Sequence, residues 1–88
     1  MGFELIKNDT ARTVRSWHAA AQGEVPTERR IASSKAATAH LKMLMTRANH
    51  DLSGWERDHV VEGISRAINL VKVLTERFID DQEGESHG

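Results

Sequence analysis

A glutamate and a histidine spaced three residues apart are the residues of this chain that most resemble a reactive site. Glu56 and His59 form Glu-x-x-His within the stretch SGWERDHVVEG, residues 53–63. Helical bundles that hold two iron ions use two such motifs and two further glutamates, all directed inward. This chain has one copy, and no ligand spacing relates its other histidines, which are His18, His40, His50 and His87. Because cysteine is also absent, thiolate ligands are excluded, and we expect neither a metal site nor another cofactor.

The same stretch has the pattern of a helix start. Ser53 and Glu56 match the capping box, Ser-x-x-Glu, in which each side chain accepts a hydrogen bond from the other residue's backbone N–H. We therefore interpret Glu56 as a capping residue. Ser33, Ser34 and Ser65 lie in helical patterns with no glycine elbow around them, and no glycine-rich phosphate loop is present, so we predict that the protein is not an enzyme.

Three helices are predicted from residues that recur every three or four positions, at about 10–22, 28–49 and 54–79. Asp9 or Thr10 is expected to cap the first helix. The residues of the three stripes are, in order, Ala11, Val14, Trp17 and Ala21; Ile31, Ser34, Ala37, Leu41, Leu44, Met45 and Ala48; and Val60, Ile64, Ala67, Val71, Leu74 and Phe78.

These elements predict one all-α domain, residues 1–79, in the form of a small three-helix bundle. Only about four residues join the second and third helices, so an antiparallel hairpin should dominate the bundle. The acidic segment 80–88, DDQEGESHG, lacks apolar residues and is predicted to be disordered. No apolar run approaches the ~20 residues of a membrane span, and we expect a cytoplasmic protein without membrane contact.

Charge is distributed unevenly along the chain. Residues 1–50 contain eight Lys and Arg against four Asp and Glu, whereas residues 51–88 contain four against nine. The basic residues of the second helix include Arg29, Arg30, Lys35 and Lys42. They favour, as an alternative function, a DNA-binding transcriptional regulator, although nucleic acid is an unlikely partner at a pI near 6.5.

The third helix is apolar over more of its surface than a hairpin requires. Beyond the stripe it carries Leu70 and Val73, which are bracketed by Arg66 and Arg77. Met43, on a flank of the second helix, also suits association, since methionine adapts to varied partners. We interpret these residues as a protein-binding surface, for a second copy of the chain or for a foreign protein.

The functional prediction is a small non-enzymatic regulatory protein that acts by stoichiometric binding to a protein partner, as an adaptor or an inhibitor. We also expect a homodimer. A core built from 88 residues without disulfides is thin, and self-association is a common way to add buried surface.

Overall fold

The chain forms three helices in a computed structural model that describes residues 2–23 and 25–87, with side chains described as far as Asp80. The helices are α1 (Phe3–Ala21), α2 (Thr27–Asp51) and α3 (Gly54–His87). The described residues contain no strand, which confirms the all-α class. Across the described ranges, no helix is both long and apolar enough to cross a membrane.

The helices run up, down and up along a bundle of 52 × 17 × 14 Å. Arg30, near the start of α2, lies over the ring of Phe78 in α3, 5.4 Å from its centroid, so these two helices are antiparallel. Phe3 packs edge-on against Trp55, with ring centroids 5.5 Å apart, so α1 runs parallel to α3. The buried apolar core is formed by Ile6, Trp17, Ala37, Leu41, Leu44, Ala48, Val60, Ile64, Ala67 and Val71.

The first helix begins at Phe3, seven residues earlier than predicted. Ile6 is fully buried and Phe3 packs against the core, so the apolar stripe of α1 extends back through these residues. Thr10, one of the expected caps, instead donates its hydroxyl to the carbonyl of Ile6 at 2.8 Å, inside the helix. The expectation of a cap at this position was wrong because tertiary packing makes the preceding residues helical.

The third helix begins without the expected capping box. Gly54 has a φ of 63°, a left-handed conformation that glycine adopts without steric cost. No hydrogen bond joins Ser53 and Glu56 in the part of the chain that the structure describes. Glu56 still lies in the first turn, where a carboxylate interacts favourably with the positive end of the helix dipole. The third helix continues to His87, eight residues past its predicted end at 79, so it includes residues 80–87 of the segment predicted to be disordered.

A buried hydrogen bond fastens α1 to α2. The Trp17 side chain is 3% exposed, and its indole Nε1 donates to Ser34 Oγ at 2.8 Å. Ser34 is itself 2% exposed and donates its hydroxyl to the carbonyl of Arg30 at 2.8 Å. The serine that interrupts the apolar stripe of α2 is therefore the acceptor that the buried indole requires.

We expect Ser34→Ala to destabilise the fold by about 1–3 kcal/mol, because it leaves the indole N–H buried without an acceptor. Ser33→Ala is the matched control, since Ser33 makes no hydrogen bond among the described residues. Chemical unfolding followed by circular dichroism measures both variants. Trp17→Phe combined with Ser34→Ala should cost less than the sum of the single changes, because both polar partners are then absent. Equal costs for Ser34→Ala and Ser33→Ala would contradict this account.

Candidate protein-binding groove

An open groove of about 520 Å³ lies between the parallel helices α1 and α3. It extends along α3 from His59 to Leu70, and Lys7 and Arg15 mark its extent on α1. Its apolar lining comes from both helices, with Ala11 and Val14 on α1 and Val60, Ala67 and Leu70 on α3. Two of these residues on each side of the gap are small or β-branched, so the two helices leave a shallow apolar channel between them.

The rim of this groove is positively charged. Lys7, Arg15 and Arg66 line it together with His59, and none of the described lining residues is acidic. Arg66 pairs with Glu62 one turn earlier at 2.6 Å, but both side chains remain mostly exposed. Arg15 has no ion-pair partner within the described ranges. The groove therefore combines an apolar floor with cations at its edges, and among these Arg66 is paired with Glu62 of its own helix.

Gly63 contributes open space to the middle of the groove. A Cβ atom built on this residue would meet no atom within 4 Å, and its φ lies outside the left-handed region. Neither backbone conformation nor contact inside the molecule therefore requires a glycine here. In the interior of a helix, glycine is about 1 kcal/mol less favourable than alanine.

The structure separates the five residues predicted to bind protein. Arg66 and Leu70 line the groove, and Leu70 is 46% exposed. Val73 and Arg77 follow on the next turns of α3, where both are exposed, but neither lines the groove. Met43 is also exposed, but it lies on α2. It follows His40 by one turn, and the Nε2 atom of His40 is 3.2 Å from Asp9 Oδ2 of α1. Met43 is therefore on another face of the bundle.

The basic residues of α2 do not form one surface. Arg30 is half-buried, donates a hydrogen bond to the carbonyl of Gly23 and stacks over Phe78. It therefore holds the segment between α1 and α2 against the bundle. Lys35 and Lys42 line a second open groove, between α2 and α3, which also contains Lys72 and Glu76. Arg29 is exposed near the start of the helix. Of the four residues proposed to bind nucleic acid, Arg30 thus stabilises the fold instead.

Among the described histidines, His40 and His50 each lie within hydrogen-bonding distance of an aspartate, whereas His59 does not. His59 of the Glu-x-x-His motif lies against the Phe3 ring, 6.0 Å between centroids, at one end of the groove. His50 Nδ1 is 2.7 Å from Asp51 Oδ1, and hydrogen bonding to His50 lowers the pKa of Asp51 to about 2. Within the described residues no group of three or more potential ligands could hold a metal ion.

The α1 side of the groove was not foreseen from the sequence. Lys7 lies before the first predicted helix, and Arg15 lies between predicted core positions. Apolar periodicity shows which face of a helix is buried, but it does not show which neighbouring helix that face meets. No protein-family model, curated protein or solved structure matches this chain, so these residues and charges are the basis for inferring a function.

Proposed function

We propose that the chain is a small, non-enzymatic regulatory protein of the cytoplasm that acts by stoichiometric binding to a protein partner, as an adaptor or an inhibitor. The observation that carries this proposal is the groove between α1 and α3, with its apolar floor and cationic rim. Leu70, which the sequence had already marked as an association residue, lies within it.

The shape of the groove favours a polypeptide segment over a small molecule. Small-molecule sites enclose most of the ligand surface. This groove is open and follows two helices for about three turns, from His59 to Leu70. An elongated segment is the kind of ligand that contacts such a surface along its whole length.

The charge of the groove favours a foreign partner over a second copy. Two chains that met groove to groove would bring Lys7, Arg15 and Arg66 of each close together, and like charges at an interface oppose association. The homodimer expected from the thin core stays a prediction. If it forms, we expect it to use another surface and to leave the groove accessible.

The variant Leu70→Glu tests the binding surface. It places a carboxylate on the apolar floor of the groove, so we expect loss of the protein captured by the wild-type chain from its native lysate. Asn69→Glu introduces the same charge one residue away, on an exposed face, and should capture the partner normally. Circular dichroism and light scattering on the gel-filtration peak establish the fold and mass of each variant.

Three outcomes would contradict the proposal. Equal capture by the two variants would place the binding surface elsewhere. Unfolding of the Leu70→Glu chain alone would assign Leu70 to the core of the monomer. A dimer mass for the wild-type chain and a monomer mass for the Leu70→Glu variant would assign the groove to self-association.

A DNA-binding regulator remains the second candidate, because Lys35, Lys42 and Lys72 share one groove. We expect no electrophoretic shift of random duplex DNA at low salt, since Arg30 is engaged in the fold and Glu76 lies among the lysines. A shift that weakens steeply as salt rises would support DNA binding instead. In that case Lys35→Glu and Lys42→Glu should abolish the shift, while Leu70→Glu should leave it unchanged.

A further inference from the structure

We infer that the partner segment is an acidic amphipathic helix that lies in the α1–α3 groove and approaches the backbone of α3 closely at Gly63. This inference rests on the proposed function and adds the chemistry of the partner. It draws on three separate features of the groove, which are its length, the positions of its cations and the space above Gly63.

The length of the groove matches a short helix. His59 and Leu70 are eleven residues apart in α3, which is about 16 Å along the helix axis. A helix of about three turns would span this distance and pack against both α1 and α3, in the position of a fourth helix of the bundle. Its apolar stripe would cover Val14, Ala67 and Leu70.

The positions of the cations indicate where the partner helix carries acidic residues. Lys7 and Arg15 are eight residues apart on one side of the groove, about 12 Å along α1. Arg66 lies on the opposite rim. An amphipathic helix places residues seven or eight positions apart on the same face, so glutamates or aspartates at that spacing beside its apolar stripe would meet Lys7 and Arg15.

The glycine defines how closely the partner approaches. Gly63 lies in the interior of α3 with open space above it, and the small residues Ala11 and Ala67 line the same groove. Small residues let two helix backbones approach more closely than large side chains do. A helix seated over Gly63 explains why this position carries a residue that is unfavourable for the isolated helix.

The probe is a synthetic peptide of about 18 residues, or about five helical turns. It carries leucine at the a and d positions of the heptad and glutamate at the flanking e and g positions, where like charges oppose pairing between peptides. In the control peptide, every glutamate is replaced by lysine. Calorimetric titration of the intact chain should detect binding of the acidic peptide, weakened by added salt, and no binding of the basic peptide.

Charge reversals on α1 locate the bound peptide. Arg15→Glu should weaken binding of the acidic peptide by about tenfold or more, because it places a carboxylate beside the peptide's own acids. Arg12→Glu changes the net charge equally, but Arg12 lies on the α2 side of α1, so this variant should bind nearly as the wild type does. Equal weakening by the two variants would show an effect of net charge only and would overturn the inference.

Filling the space over Gly63 tests the close approach. Gly63→Leu should keep or raise the melting temperature, since leucine favours a helix over glycine and a Cβ atom meets nothing there. It should nevertheless abolish binding, because the added side chain occupies the groove. Ser65→Leu adds the same side chain on the exposed face of α3 and should bind normally. Wild-type affinity in the Gly63→Leu variant would overturn the close approach at this residue.

The two proposals fail in different ways. If the acidic peptide does not bind while Leu70→Glu still loses the captured partner, the groove binds protein but the inferred partner chemistry is wrong. If the acidic peptide binds and Leu70→Glu has no effect on it or on capture, the binding surface itself is misplaced.

Discussion

The hydrogen bond from the Trp17 indole to Ser34 is the constraint on which the arrangement of the three helices depends. It joins two side chains that are almost completely buried, and it is made between the two helices that must be held in register. An indole N–H is costly to bury without an acceptor, so the positions of Trp17 and Ser34 fix both the rotation and the height of α1 on α2. Asp9 and His40 form a second, more exposed contact between the same helices.

The contacts that hold α1 against α2 also determine which of its other residues are directed towards α3. With Trp17 directed into the core and Asp9 towards α2, the flank that carries Lys7, Ala11 and Arg15 is turned towards α3. Small residues on both sides then leave a channel rather than a closed interface. Arg30, by contrast, is drawn inward to Gly23 and Phe78, which divides the basic residues of the first half of the chain between fold and surface. The groove and its charge are thus consequences of how α1 is held.

The second and third helices were predictable because their apolar residues repeat regularly over many turns. Ser34, Leu41 and Leu44 were assigned to the stripe of α2, and all are buried. The beginning of α1 was not predictable in the same way, since Phe3 and Ile6 become helical through contacts with the rest of the bundle. The start of α3 depends on a left-handed Gly54, although Ser53 and Glu56 matched a capping box by type. Leu70 and Arg66 were predicted to belong to an association surface from one helix alone, whereas the residues that line the groove with them could be named only once α1 was placed.

Chemical-shift mapping by nuclear magnetic resonance tests the central claim, that the α1–α3 face is the binding surface, most directly. The uniformly labelled chain would be titrated with the acidic peptide and the shifts of its backbone amides followed residue by residue. We predict that the largest changes fall on Ala11, Val14, Gly63, Ala67 and Leu70, with little change at Lys35, Thr38 and Lys42. Changes centred on those three residues of α2, with the α1–α3 face unaffected, would contradict the account.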